Sequence, residues 1–139
     1  MPPRRLPSDD PREWLNRARS DLAMSKAQGS GIYYEDLCFH AQQAVEKAIK
    51  AVLLHHGVRF PYIHDIRELI NLLKRKAVNV PARVGKAREL TNYAVETRYP
   101  GLSEPVSEEE YRDAVALAET VVRWADKQIT HPQRRKRKS

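Results

Sequence analysis

The chain carries one cysteine, five glycines and only 7% aromatic residues in its 139 positions. A lone Cys38 excludes an internal disulfide and any cysteine-built metal cluster. Sparse aromatics beside plentiful Ala, Leu, Val, Arg, Lys and Glu disfavour a sandwich or barrel and favour helices. No apolar run approaches the ~20 residues that cross a bilayer. The opening "MPPRRLPSDDP" lacks the apolar stretch of a signal peptide, so a cytoplasmic protein with no membrane partner is expected. No glycine-rich phosphate loop and no HExxH pair is present, and no paired carboxylates stand out, so neither a metal nor a cofactor is expected.

What is present is charge and helical periodicity. The net charge is +7, but Arg134, Arg135, Lys136, Arg137 and Lys138 supply five of the seven and leave +2 on the body. Such a tail has nothing apolar to bury, so the reading is a disordered basic tail over 130–139. It either solubilises the chain or lends loose, salt-sensitive affinity for RNA or DNA. Residues 1–10 read as an extension and 11–129 as one helical domain, long enough to bury roughly 65–70% of its unfolded surface.

Five helices are expected. Asp10, Pro11 and Glu13 form a start signal, and Trp14, Leu15, Ala18 and Leu22 recur at helical spacing, predicting helix one from Pro11 to Ala27. Helix two spans Ile32 to His56. Its broad apolar face of Leu37, Ala41, Ala44, Ala48 and Val52, widened by Cys38, Val45, Ile49 and Leu53, suits a central helix. Gly57 and Val58 predict a left-handed cap, and the helix dipole favours a proton on His55 and His56. Asp65 with Glu68 opens a short third helix, Pro81 a fourth carried by Val84, Ala87, Leu90, Ala94 and Val95. Ser107 with Glu110 opens the fifth, on Tyr111, Ala114, Val115, Ala118, Val121, Val122 and Ala125. Short connections favour antiparallel neighbours, giving an all-α, up-and-down bundle of about five helices.

Two places carry candidate chemistry. On helix two, His40, Gln43, Lys47 and Lys50 are spaced three, four and three and share a face. An imidazole, an amide and two ammonium groups suit a phosphate or a base edge. The competing reading is a solvent face on which Glu46 pairs with Lys50. In "ETRYPG", Arg98 and Tyr99 precede a rigid Pro100–Gly101 corner. A cation in a helix's last turn complements the dipole, yet a turn that fixes the backbone also pre-organises a phosphate-binding guanidinium. His64 beside Asp65 invites a dyad reading, which the capping duty of Asp65 weakens.

The blocks "FHAQQAVEKAIKAVLLHHG", "HDIRELI" and "ETRYPG", in that order and spacing, resemble the HEPN domain family across about residues 11 to 129. The resemblance implies a compact bundle of about five helices, usually a homodimer. It lies nearest the small prokaryotic HEPN proteins encoded beside a minimal nucleotidyltransferase, a pairing understood as a toxin–antitoxin module. Many HEPN proteins are metal-independent ribonucleases with an arginine followed after four to six residues by a histidine. Here Arg98 is followed by Tyr-Pro-Gly-Leu-Ser-Glu-Pro, so the motif is incomplete. The resulting expectation is a nucleotide- or RNA-binding protein of the toxin-like kind, with Arg98, Tyr99, His40, Gln43 and Lys47 at the site. The alternatives are a ribonuclease that uses Arg98 with His40 or His64, and a non-catalytic protein-interaction module.

Overall fold

The computed structural model describes residues 1–60, 62–94 and 105–130 and, for residues 91–94, the backbone alone. Helices α1 (Pro11–Ser25), α2 (Tyr34–His55), α3 (Ile66–Arg75), α4 (Ala82–Gly85) and α5 (Glu108–Thr130) form the bundle, with a 3₁₀ segment (Lys86–Ala94) continuing α4. No strand occurs among the described residues, and the all-α class expected from composition holds.

Three helices begin where capping chemistry places them. The Asp10 side chain accepts from the Arg12 N–H at 2.9 Å, and Asp65 does the same for Arg67. Ser107 and Glu110 close a reciprocal box, each side chain accepting the other's backbone N–H at 3.1 Å. Glu13 departs from the expected box. The Asp10 N–H already donates to Pro7, and Glu13 instead accepts from the Leu6 N–H and from Arg17. That contact, with the Trp14 indole donating to the Ser8 carbonyl at 2.7 Å, folds the N-terminal extension back onto α1.

Helix α2 is the hub, packed against α1, α3, the 3₁₀ segment and α5. Ala41, Ala44, Ala48 and Ala51 are fully buried on it, so neighbouring backbones approach closely while Val45, Ile49, Val52 and Leu53 fill the space between. Ion pairs fix the directions. Arg19 meets Asp126 and Lys26 meets Glu119, so seven residues forward on α1 are seven back on α5, and the two run antiparallel. Trp14 reaches Lys50 and Asp21 reaches His40, so α1 also opposes α2. Tyr34 stacks on Tyr111 at 5.1 Å, which sets the start of α2 beside the start of α5.

The fourth element differs from the single α-helix expected after Pro81. It is α-helical only to Gly85 and then winds as 3₁₀. Val84, Ala87 and Leu90 explain the change, because their spacing is a constant three residues. Three residues per turn keep all of them on one buried face, whereas 3.6 would let the stripe drift off the core. The Pro100–Gly101 corner lies outside the described residues.

Two helices end in the same six-residue device. After α2, Gly57 takes φ 73° while Val58 N–H donates to Leu53 and Gly57 N–H to Leu54. After α3, Ala77 sits at φ 60° with the matching bonds from Val78 to Leu73 and from Ala77 to Lys74. A Cβ in that left-handed position costs about 1–2 kcal/mol. Ala77→Gly is therefore expected to raise unfolding stability by about 1 kcal/mol in a denaturant titration; an unchanged or lower midpoint would show that the cap is unstrained.

Candidate functional site

At about 100° per residue, the polar positions of α2 between residues 40 and 50 form one continuous arc, ordered His40, Lys47, Gln43, Lys50, Glu46, Gln42 and roughly 160° wide. The rest of the circumference is mostly apolar, so this arc meets neighbouring elements as well as solvent. The structure brings His40, Gln43 and Lys47 together, as the spacing predicts. It also supplies partners that spacing did not reveal.

On one edge, Asp21 of α1 holds both His40 and Lys47. The His40 Nδ1 lies 3.2 Å from Asp21 Oδ1, and Lys47 Nζ lies 2.6 Å from Oδ2. The Asp21 side chain is 6% exposed, His40 32% and Lys47 25%, so the acid lies inside and the two nitrogens bridge toward water. Asp21 balances the charge of Lys47, and this edge is not a free cationic surface.

On the other edge lies Glu46. Its Oε2 meets Lys50 Nζ at 3.0 Å and His64 Nδ1 at 3.1 Å, while its Oε1 accepts from the Gln42 amide at 3.3 Å. Gln43 donates to Gln42 at 2.7 Å and so joins the Glu46 edge. The pairing of Glu46 with Lys50 exists, but it is buried rather than a feature of a solvent face, with side chains 4% and 5% exposed. Lys50 also lies over the rings of Trp14 and Phe60, which stabilises an ammonium withdrawn from water. His64, by contrast, is 70% exposed. Among the described residues no buried side-chain nitrogen or oxygen lacks a partner.

Both imidazoles are thus gripped at Nδ1 by a buried carboxylate. A carboxylate on Nδ1 fixes the ring and directs Nε2 outward as the atom able to exchange a proton. This is the arrangement of an oriented acid–base group. Asp65 caps α3, as expected of its capping duty, and the carboxylate at His64 Nδ1 is that of Glu46. Arg98 and Tyr99 lie outside the described residues.

Two other expectations are resolved. Burial pushes the Cys38 thiol up to about 12, with Glu35 and Glu110 acting the same way, so it is a neutral core residue. Partial burial, then the neighbouring His55, lowers the pKa of His56 below the usual imidazole value, against the dipole effect expected at the end of α2. A small groove of about 230 Å³ went unread in the sequence. Arg67, Asn71 and Lys74 line it from α3 at helical spacing, with Arg88 opposite.

With this geometry in hand, the relatives are informative. The HEPN domain family model matches residues 11–128. The chain belongs to the HEPN domain family. A Methanocaldococcus jannaschii protein named "Putative toxin MJ1304" is 31% identical over 97 residues, covering 63% of this chain and 61% of that relative. The chain therefore spans less than two thirds of that relative's length. The crystal structure of ST0689, described as an archaeal HEPN homologue, superposes with a TM-score of 0.70 at 28% identity over 86% of this chain and 98% of that one. The crystal structure of TT1696 from Thermus thermophilus gives 0.74 at 31% identity over 85% and 97%. The HEPN bundle seen here is thus shared across both. No helix among the described residues is long and apolar enough to cross a membrane.

Two outcomes follow from the buried groups. Glu46→Ala leaves Lys50 charged and unpaired, and is expected to cost about 3–5 kcal/mol in denaturant unfolding, while Glu46→Met with Lys50→Met is expected to fall within about 1–2 kcal/mol of the wild type. Cys38, protonated well above pH 8, is expected to resist a thiol reagent at that pH until denaturant is added; rapid labelling of the native chain would contradict its burial.

Proposed function

We propose that this HEPN protein is the toxin-like member of a toxin–antitoxin pair, binding a nucleotide or RNA and acting as a homodimer with a minimal nucleotidyltransferase. The toxin reading is supported by the likeness to the protein named as a toxin and by family membership. The nucleotide or RNA reading rests on the α2 arc, where His40, Gln43 and Lys47 stand together on partly exposed ground. Arg98 and Tyr99 complete the proposed site. The guanidinium takes the phosphate, the ring offers a stacking face, and the α2 amide and imidazole take polar edges.

One observation favours a second reading, a metal-independent endoribonuclease. His40 and His64 each carry a carboxylate on Nδ1, which suits proton transfer at Nε2. In that reaction the 2′-oxygen of RNA attacks the adjacent phosphorus and the 5′-oxygen departs, leaving a 2′,3′-cyclic phosphate. Imidazole takes the 2′-hydroxyl proton, a proton returns to the leaving oxygen, and Arg98 steadies the phosphate charge.

Binding of a labelled single-stranded RNA at low salt tests the first reading. Loss of a charge-assisted contact worth about 1.5–3 kcal/mol predicts roughly ten- to a hundredfold weaker binding for Arg98→Ala. Unchanged affinity removes Arg98 from the site, and affinity that disappears on deleting 130–139 assigns it to the tail. Incubating the protein with RNA in chelator tests the second, with cyclic-phosphate ends expected and lost in Arg98→Ala and in His40→Ala or His64→Ala.

A further inference from the structure

Helix α5 sorts its charges by side. Asp126 and Glu119 are turned toward Arg19 and Lys26 of α1. The side facing α4 carries Thr120, Arg123 and Lys127, at i, i+3 and i+7 and therefore on one helical face. Arg83 approaches from α4 across a groove of about 270 Å³, and among the described residues no carboxylate lines it. Arg123 retains one acidic neighbour, Glu119 at 3.4 Å. Arg83 and Lys127 make no ion pair among the described residues. Arg83 and Lys127 thus face one groove with no carboxylate lining it among the described residues, and an anion between them and Arg123 would offset their mutual repulsion.

A second groove of about 590 Å³ adjoins the first, with Trp124 and Lys127 common to both. Its character is different. Val78, Pro81 and Trp124 give it apolar walls, and Asn79 and Gln128 offer amides that both donate and accept. His56 also lines it, its pKa lowered first by partial burial and then by His55, which favours the neutral imidazole. A cationic groove opening beside a larger, mostly apolar one with a few amides matches a ligand that is anionic at one end and a flat, polar-edged ring at the other. The amides would read the ring's edge and the apolar walls would take its face.

We infer that the α4–α5 groove is a binding site for a nucleoside monophosphate unit, its phosphate between Arg83, Arg123 and Lys127 and its base in the compartment of Asn79 and Gln128. The unit can be a free nucleotide or one residue of an RNA strand. The site is separate from the Arg98 reading and does not depend on it.

Calorimetry on the full chain at low salt tests this with adenosine 5′-monophosphate, adenosine and inorganic phosphate. The nucleotide is expected to bind at least tenfold more tightly than either fragment. Arg83→Ala with Lys127→Ala, both on exposed positions, is expected to weaken it at least tenfold. Asn79→Ala with Gln128→Ala is expected to weaken the nucleotide and leave inorganic phosphate unchanged. A hexauridylate competitor separates the sources: a strand that binds more tightly than the mononucleotide and loses affinity in the same variants assigns RNA, and the mononucleotide alone assigns a free ligand. Phosphate binding as tightly as the nucleotide, or nucleotide and strand both indifferent to the Arg83 and Lys127 changes, would overturn the site. Arg98→Ala is expected to leave mononucleotide binding at this groove intact, so its failure and that of the proposed function are read separately.

Discussion

Two carboxylates that cannot reach bulk water organise this bundle. Asp21 and Glu46 lie among helices whose buried contacts are largely alanines and aliphatic side chains. An acid in such a place must be paired and hydrogen-bonded, or it abandons its charge. Asp21 is met by Lys47 and His40, Glu46 by Lys50, His64 and Gln42. Meeting those demands fixes how α1 sits along α2 and where the loop before α3 must place His64. Slipping α1 by one turn would leave Asp21 with neither partner. The polar arc therefore sets register in a bundle whose alanine-rich contacts alone would tolerate sliding.

The same constraint shapes the chemistry. The charges nearest the HEPN core are neutralised internally, so the α2 face offers oriented imidazoles more than free positive charge. Groove-lining cations lie elsewhere. Arg67, Lys74 and Arg88 border one groove, and Arg83 and Lys127 another, because Glu119 and Asp126 of α5 turn toward α1. On the proposed reading, a phosphate-bearing ligand would meet oriented imidazoles at α2 and guanidinium or ammonium groups at the groove edges.

Much of the fold was legible in the sequence. Capping residues at Asp10, Asp65 and Ser107 located three helix starts, and the alanine stripe of α2 marked the central helix, because local hydrogen bonding and period are written in neighbouring residues. The 3₁₀ continuation was less so, although Val84, Ala87 and Leu90 carried its three-residue spacing. The site was legible only in part. Spacing along one helix grouped His40, Gln43 and Lys47, but no spacing rule connects Asp21 to His40 or His64 to Glu46, since those pairs are made by packing between elements. A hint lay in Asp21 itself, an acid three residues after the buried Ala18 on the inward side of α1. Trp124 was likewise left out of the α5 stripe, and with it went the grooves that it floors.

Buried carboxylates hold His40 and His64 at Nδ1, and among the described residues Nε2 of neither ring has a hydrogen-bond partner. Nitrogen-resolved NMR of the histidine rings, at a pH where both are neutral, reads this directly. The account predicts the Nδ1–H tautomer at both residues, reverting at His40 in Asp21→Asn and at His64 in Glu46→Gln. An Nε2–H tautomer at both rings in the unaltered chain would contradict it.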